Sequence, residues 1–449
     1  MREAKKHDMT EGKIISPLIT FTIPLVLGNL FQLTYNAVDS VIVGKYVGEE
    51  ALAAVGTSNP IMNIAILLIS GMCMGASVLM SSQYGAKDFE KLSRQISTTF
   101  LAGCVFSLIF SMLMVMGAPF VLALIQVPEE VIPLAASYLR IIYLGLVFTF
   151  LYNFLANTMR ALGDSKTPLY FLMISALLNV VGDIFFVAVL NWGVKGSALS
   201  TILSEALCCL LCGMYIKKRI PLLCLGKKWF VFDRELLGKT VSYGSTSAMQ
   251  QVCLQMGKIL IQAVVNTQGV SVIAAFTAVN RVDDFAYTPQ QNIGHAMTTF
   301  IAQNKGAGKK ERIRKGFQCG LMIEAAYSLC LLVVILLAAP GIMQLFAEEG
   351  DAQVVELGVS YLRVIAFMYL LPAMTNGIQG FFRGIGDMKV TLYSTFMNML
   401  GRVVAVFVML LILKLEFSAL AWANMVGWIV MLLFEVPLLV RSLKSMGQN

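Results

Sequence analysis

A few oxygen-bearing side chains interrupt long apolar stretches of this sequence. Asp39 lies in FQLTYNAVDSVIVG, and Asp183 lies in ALLNVVGDIFFV with Asn179 four residues before it. Thr201 and Glu205 are also four residues apart, and such a spacing puts both members of a pair on one helical face. Carboxylate, amide and hydroxyl oxygens suit a hard cation such as Na⁺. Two carboxylates that meet away from water can instead share a proton.

These carboxylates need a reason to be in an apolar stretch. A charged side chain at the centre of a membrane helix costs about 2.5–3.5 kcal/mol on insertion scales. One interpretation is that hydroxyls and amides satisfy them and that they serve stability alone, but a buried charge is a poor stabiliser. We therefore predict that Asp39, Asn179, Asp183 and Thr201 bind a cation. The sequence leaves open whether that cation is H⁺ or Na⁺.

The composition indicates a membrane protein. Of the 449 residues 57% are hydrophobic and only 13% are charged, whereas soluble domains average about 25% charged residues. Apolar runs of bilayer-spanning length recur along the chain, and the first, from Ile14, is too long for the apolar core of a signal peptide. We predict that these spans are helical, because backbone N–H and C=O groups find no hydrogen-bond partners in lipid outside a helix or a closed barrel. We predict an all-α polytopic protein with twelve spans, near residues 15–43, 51–80, 96–118, 137–160, 167–190, 195–216, 240–266, 272–303, 317–340, 360–383, 390–413 and 417–440.

The positive charges predict the orientation of the spans. Of the 34 Lys and Arg residues, 26 lie on one side: 24 in the N-tail (1–14), the C-tail (441–449), the linker (217–239) and the other loops of that side, and Arg160 and Arg383 at the span ends that face it. Positive loops stay cytoplasmic, so we expect both termini inside the cell, in a multi-pass protein of the cell membrane. The net charge of +8 is therefore no sign of nucleic-acid binding. The expected partners are the lipid bilayer and small organic substrates, and we expect a monomer.

The chain contains one unit twice. RALGDSK, which begins at Arg160, returns as RGIGDMK from Arg383, and YLRIIYLG from Tyr138 returns at the same separation as YLRVIAFM from Tyr361. Residues 15–216 (the N-lobe) and 240–440 (the C-lobe) are thus two six-span copies. Because six is even, both copies enter the membrane from the same side, as parallel repeats do. Two such bundles with a cleft between them are typical of alternating-access transporters.

The second copy serves as an internal control for the first. Asp39 and Asp183 correspond to Leu260 and Val406, and Asn179 corresponds to Arg402. The scaffold therefore does not require the two carboxylates. The second copy has a polar set of its own, which consists of Gln255, Lys258, Arg281, Asp283, Asp284 and Arg402. These residues form either a salt-bridged structural cluster or contacts to a substrate or a second coupling ion.

Other polar residues of the first copy are candidates for binding a substrate. They are Gln32, Tyr35, Asn153, Asn157 and Glu205. Interhelical hydrogen bonds explain such residues equally well.

Several segments resemble the multidrug and toxic compound extrusion (MATE) transporters. They are DMTEGKIISPLITFTIPLVLGNLFQLTYNAVDSVIVGKYVGEEALAAVG, RALGDSKTPL, FRGIGDMKVTL and AQNKGAGKKERIRKG. The resemblance implies two lobes that export organic, often cationic, compounds in exchange for H⁺ or Na⁺. It also implies an amino-lobe cation site, whose residues here are Asp39, Asn179, Asp183 and Thr201. Other members use acids in spans 7 and 10, but this chain has Gln255 and Lys258 in span 7 and no acid within span 10.

Two other functions are compatible with parts of the sequence. A flippase for lipid-linked saccharides, from a related superfamily, needs a cationic cavity, which Lys258, Arg281 and Arg402 could line. A membrane enzyme needs a convergent base and nucleophile or a metal, and the chain has only His7 and His295 as histidines. We therefore expect no enzyme activity and no cofactor apart from the coupling ion.

Overall fold

The computed structural model describes residues 8–47, 49–124, 127, 129–219, 231–345, 352–415 and 417–447. Residues 1–7 of the predicted N-tail, with His7, lie outside the described residues, as do 220–230 of the predicted linker and 448–449 of the predicted C-tail.

The described part of the first copy is a series of helices joined by short turns. Its helices are α1 (Ile15–Tyr46), α2 (Glu49–Gly85), α3 (Phe89–Leu124), α4 (Ile132–Leu144), α5 (Leu146–Ala161), α6 (Lys166–Asp183) and α7 (Gly193–Arg219). One wider turn, the π-helical segment Ile184–Val189, continues α6.

The second copy repeats this order. Its helices are α8 (Arg234–Val265), α9 (Val270–Gly306), α10 (Lys310–Gln344), α11 (Ala352–Ala366), α12 (Leu370–Gly384), α13 (Met388–Val406) and α14 (Ala419–Gly447). A π-helical segment, Phe407–Ile412, continues α13. Its first residue, Phe407, is the repeat counterpart of Ile184, where the earlier π-helical segment begins, so the backbone repeats with the sequence.

The helices correspond to the predicted spans. Among the described residues, eight helices are long and apolar enough to cross a membrane, and two bent pairs each pass the same test together. The bent pairs are α4 with α5, at 45°, and α11 with α12, at 54°. Predicted spans 7 and 8 are α8 and α9, which have 32 and 37 residues and more polar side chains. The predicted all-α fold is confirmed.

The chain divides into two compact units. The first unit contains residues 1–8 and 23–248, and the second contains residues 9–22 and 249–449. Each unit has its own core of buried apolar side chains. Tyr143 and Leu139 are fully buried in the first core, as Tyr361 and Tyr369 are in the second.

Small residues let helices of the first unit approach closely. A Cβ atom on Gly75 of α2 would lie 2.4 Å from the carbonyl oxygen of Tyr243 in α8. One on Gly71 would lie 2.6 Å from the Cα atom of Ala248. The two glycines are four residues apart, as in the small-xxx-small pattern of membrane helices. The first half of α8 therefore packs against α2.

A single arginine anchors the chain before α1 to the second unit. The Arg312 guanidinium donates hydrogen bonds to the carbonyl oxygens of Met9, Glu11, Gly12 and Lys13, at 2.7–3.3 Å. A planar fork with five N–H donors suits such a row of acceptors. We call residues 9–13 the N-terminal strap.

Candidate functional site

The first unit brings α1, α6 and α7 together around the predicted cation-binding residues. Asp39 lies in the last third of α1, and Asn179 and Asp183 lie in the last two turns of α6. Helix α7 approaches α6 closely because Gly182 has no side chain, since a Cβ atom there would lie 2.4 Å from the Ser200 hydroxyl oxygen. All the predicted residues of this site are therefore on three neighbouring helices.

Hydrogen bonds connect these residues across the helices. The Ser197 hydroxyl donates to Asp39 Oδ1 at 2.9 Å. The Asn179 amide nitrogen donates to Ser200 Oγ at 3.3 Å and to Thr201 Oγ1 at 3.2 Å. The Asp39 and Asp183 carboxyl groups adjoin each other within hydrogen-bonding reach. The four residues predicted from the sequence thus form one cluster.

Three buried oxygen atoms of this cluster have no hydrogen-bond donor. Asp183 is 0% exposed and Asn179 3% exposed. Both Asp183 carboxyl oxygens and Asn179 Oδ1 accept no hydrogen bond of good geometry from the described residues, although the Ser200 hydroxyl, which donates to the Asn179 carbonyl at 2.8 Å, lies near Asp183. Buried polar atoms are almost always partnered, so an unpartnered group calls for an ion, a water or a proton. A set of oxygens from two carboxylates, an amide and a hydroxyl fits a hard cation or a proton.

Further polar side chains surround the carboxylates. The Thr149 hydroxyl of α5 donates to Glu205 Oε2 of α7 at 2.6 Å. Tyr35 lies close to Glu205 and Asp39, and Tyr138 lies close to Asp39 and Asp183. Of the predicted substrate-binding residues, Tyr35 and Glu205 therefore belong to the edge of the cation cluster.

The other candidates of the first unit make their hydrogen bonds to groups other than the carboxylates. Gln32 is exposed and hydrogen-bonds to Tyr35. The amide nitrogens of Asn153 and Asn157 each donate to the carbonyl oxygen four residues earlier, that of Thr149 and of Asn153, both at 2.9 Å. Such a bond holds each amide against its own helix α5.

Four members of the cluster were not predicted from the sequence. They are Tyr138, Thr149, Ser197 and Ser200. Serine and threonine are tolerated anywhere in membrane helices, so their type gives no signal. Their position does, because Ser197 and Ser200 lie one helical turn from Thr201 and Ser204 in GSALSTILSE.

The second unit has a buried carboxylate at a different place. Asp283 of α9 is buried, and its two oxygens accept hydrogen bonds from the hydroxyls of Tyr361 at 2.8 Å and Tyr369 at 2.6 Å. The first unit has Tyr138 where the second has Tyr361, and its hydroxyl lies 4.0 Å from the sulfur of Met62. Met62 is itself the repeat counterpart of Asp283. Asp283, like Asp39 and Asp183, therefore lies where the other unit has an apolar residue.

The remaining candidates of the second unit have different surroundings. Lys258 Nζ and Asp284 Oδ1 lie 3.2 Å apart, and both side chains are about half exposed. Arg402 of α13 is half-buried and Arg281 is exposed, while Gln255 is half-buried on α8. The sequence predicted either a salt-bridged cluster or ligand contacts, and one ion pair of such a cluster is present.

Two buried acids of the second unit were overlooked in the sequence. Glu324 of α10 is 1% exposed and Glu435 of α14 is 0% exposed. Their carboxyl oxygens have no hydrogen-bond donor under strict geometry within the described residues. Glu435 nevertheless lies near Ser394, Gln379 and the Arg383 guanidinium. Each acid interrupts an apolar run, GLMIEAAYSLC or MLLFEVPLLV, which is the same signal that identified Asp39.

Known proteins resemble this chain over most of its length. The family model described as MatE matches residues 24–185 and again 247–409, once in each copy. The "Probable multidrug resistance protein YpnP" of Bacillus subtilis (strain 168) is 30% identical over 390 residues, which are 86% of this chain and 85% of that protein. The "Multidrug export protein MepA" of Staphylococcus aureus (strain MSSA476) is 21% identical over 386 residues, with 86% and 84% covered.

Solved structures share the fold. A MOP superfamily transporter from Pyrococcus furiosus superposes with a TM-score of 0.91 at 22% identity, over 98% of each chain. An outward-facing multidrug resistance MATE family transporter of the same superfamily gives a TM-score of 0.91 at 21% identity, again over 98% of each chain. These similarities extend over all the helices, and they confirm the predicted fold of twelve membrane-spanning helices in two bundles.

Proposed function

This chain belongs to the MATE family of membrane transporters, and from that premise we propose that it exports organic compounds, often cationic ones, in exchange for inward H⁺ or Na⁺. As a member of a transporter family, it is not an enzyme. Relatives named as multidrug resistance or multidrug export proteins support the breadth of substrates proposed here.

The coupling ion binds, in this proposal, at Asp39, Asn179, Asp183 and Thr201. The observation that carries the assignment is the group of three buried oxygens without donors, on Asn179 and Asp183, beside a second carboxylate. A cation at this place would be coordinated by all three, and a proton on Asp183 would turn one of them into a donor that a neighbouring oxygen could accept. The second copy has Leu260 at the position of Asp39 and Val406 at the position of Asp183, so the acids are not part of the shared scaffold.

Ion binding would drive export by favouring one of two conformations. A ligand shifts an equilibrium only through its different affinity for the two states. The two-copy architecture supports alternating access, in which the bundles open to one side of the membrane and then to the other. Na⁺ or H⁺ would reach the carboxylates from the outer side of the membrane. Once bound, the ion would stabilise the conformation that the protein adopts after it has released the exported compound.

The distribution of Lys and Arg supports an orientation with both termini in the cytoplasm. In that orientation the site near the ends of α1 and α6 lies toward the outer side of the membrane. The cell membrane is the proposed location, since export from the cell requires it.

Substitution of the carboxylates tests the proposal. Asp39→Asn and Asp183→Asn should each abolish ethidium efflux driven by an imposed pH or Na⁺ gradient in proteoliposomes, because an amide neither binds a proton nor neutralises Na⁺. Asp88→Asn is the matched control. Asp88 accepts a hydrogen bond from the backbone N–H of Lys91 at the start of α3, and asparagine caps a helix as well. Full gradient-driven efflux by both site variants would refute the assignment, and the gradient that drives the wild type identifies the ion.

A further inference from the structure

The cation cluster of the first unit has a counterpart in the second unit with different chemistry. At the separation that pairs Arg160 with Arg383, the positions of Asn179, Thr201 and Glu205 are taken by Arg402, Asn424 and Trp428. The π-helical segments that follow α6 and α13 keep the same separation, so the positions of Asn179 and Arg402 match in the backbone as well. An amide, a hydroxyl and an acid in one unit are thus a guanidinium, an amide and an indole in the other.

A cavity of about 240 Å³ lies in the second unit beside these residues. Its charged lining residues are Lys258, Asp284 and Arg402, and its aromatic ones are Tyr287 and Trp428. The rings of Tyr287 and Trp428 are 5.9 Å apart and nearly perpendicular, at 69°. The lining combines a positive formal charge with an aromatic wall.

Two hydrogen-bond donors of this lining have no acceptor. Arg402 Nε and the Tyr287 hydroxyl are buried, and neither has a hydrogen-bond partner within the described residues. A buried donor without an acceptor is costly. Both belong to side chains that line the cavity, so an acceptor bound there would lie close to both donors and could pair with them once the side chains turn toward it.

The neighbouring acids do not take up these donors. Asp283 lies close enough to Arg402 to attract it, but the two Asp283 oxygens are held by Tyr361 and Tyr369. No ion pair joins Arg402 to a described acid within 4.0 Å. Asp284 is paired with Lys258 at 3.2 Å. Arg402 is therefore the charged group of the lining that remains available to a ligand.

We propose that this cavity binds the anionic group of an aromatic compound, a carboxylate or a phosphate, on Arg402 and Tyr287. The guanidinium fork suits both groups because it donates parallel hydrogen bonds to two oxygens of one anion. The aromatic part of the ligand packs against Trp428. The inference rests on the proposed function, because it takes this ligand to be one of the exported compounds. The binding itself needs no ion gradient.

Equilibrium binding to the purified full-length protein in lipid nanodiscs tests the proposal. The probes share one ring system and differ in charge: 2-naphthoate, 2-naphthyl phosphate and 2-naphthylmethylammonium. We expect the wild type to bind an anionic probe more tightly than the cation in isothermal titration calorimetry, after subtraction of uptake by empty nanodiscs. The two anionic probes distinguish the carboxylate from the phosphate, and a preference for phosphate agrees with the lipid-linked phosphates of the flippase alternative.

Variants locate the binding. Arg402→Gln should weaken the anionic probe at least about tenfold, because a hydrogen bond to a charged group is lost, and should leave the cation unaffected. Tyr287→Phe removes only a hydroxyl and should weaken the anion by a smaller factor. Arg363→Gln is the matched control, since Arg363 of α11 is exposed and does not line the cavity.

Three results would overturn the inference: no binding of either anion to the wild type, a preference of the wild type for the cation, or equal anion affinity in the wild type and in Arg402→Gln. The first two do not depend on the folding of any variant. All are measured without an ion gradient, so they are separate from the efflux test of Asp39 and Asp183.

Discussion

Thr201 shows how a single hydroxyl organises the cation cluster. Its oxygen accepts a hydrogen bond from the Asn179 amide at 3.2 Å and donates one to the Ser197 carbonyl at 3.2 Å. The first bond turns the Asn179 amide so that Oδ1 remains without a donor. Thr201 is thus one of the residues that orient the Asn179 amide and, with it, the Oδ1 atom that Asn179 offers to an ion.

A near-isosteric substitution tests this role. Thr201→Val keeps the shape but removes one of the two acceptors of the Asn179 amide, which costs about 1–2 kcal/mol at a buried site. We expect the ion concentration for half-maximal ion-driven efflux to rise roughly five- to thirtyfold. Thr34→Val is the control, because the Thr34 hydroxyl is exposed and donates to the Leu30 carbonyl in its own helix. An unchanged ion dependence in Thr201→Val would show that Asn179 is oriented by other contacts.

The sequence predicted the acids of the first unit better than those of the second. Asp39 and Asp183 stood out because each interrupts an apolar run, and the structure brings them together. In the second unit, Asp283 and Asp284 are adjacent, yet one is buried under two tyrosines and the other is exposed beside Lys258. A helix turns by about 100° per residue, so neighbours face different ways, and only packing decides which is buried.

At the scale of helices, the approach of α2 to α8 depends on glycine. A Cβ atom on Gly75 would meet backbone atoms of Tyr243 and Gly244, which cannot move aside as a side-chain tip can. The same holds for Gly71 against Ala248. The packing of α2 on the first half of α8 is therefore sensitive to a single methyl group.

Gly75→Ala should lower the thermal unfolding temperature of the protein in detergent, because overpacking against backbone costs about 1–3 kcal/mol. The matched control is Gly117→Ala in α3, where a Cβ atom would have no atom within 4 Å. That control should be neutral or stabilising, since alanine is favoured over glycine within a helix by about 1 kcal/mol. Tryptophan fluorescence during heating measures both. Equal unfolding temperatures for Gly75→Ala and the wild type would mean that α8 can retreat from α2.

Helix breaks were less predictable than helices. The sequence predicted single spans over 137–160 and 360–383, whereas each is a bent pair in the structure. At the first break, a Cβ atom on Gly145 would lie 2.4 Å from Ile202 Cγ1 of α7. The second break lies at residues 367–369, ahead of Pro372, the third residue of α12. Hydropathy reports only whether a stretch is apolar, so it is the same for a straight helix and a bent one.

At the scale of the whole molecule, the N-terminal strap belongs to the second unit although it precedes a helix that continues into the first. Besides Arg312, the strap is held by Asn304, whose amide donates to the Met9 carbonyl at 3.2 Å, and by Lys309, which donates to the Thr10 carbonyl at 2.8 Å. In the other direction, the Met9 backbone N–H donates to Gln303 Oε1 at 3.2 Å. None of these bonds could be predicted from the sequence, because they join opposite ends of a long stretch of chain.

Removal of the guanidinium should release the strap. Arg312→Ala removes all its bonds to the strap carbonyls, and bonds to a charged group are worth about 1.5–3 kcal/mol each before exposure to water is considered. We expect faster backbone hydrogen exchange in residues 8–14, measured by mass spectrometry, with little change in the α6 and α7 peptides. Arg314→Ala is the control, because Arg314 is exposed on the same helix. Unchanged exchange in Arg312→Ala would show that Asn304 and Lys309 suffice.

The π-helical turn after α6 and its equal after α13 show what determines the path of the main chain at this place. The backbone widens at the same point of both copies, although the side chains beside it differ, Asp183 against Val406 and Asn179 against Arg402. The wide turn therefore does not depend on the polar residues that distinguish the two copies. Either copy can change its chemistry at this place while its main chain keeps the same course.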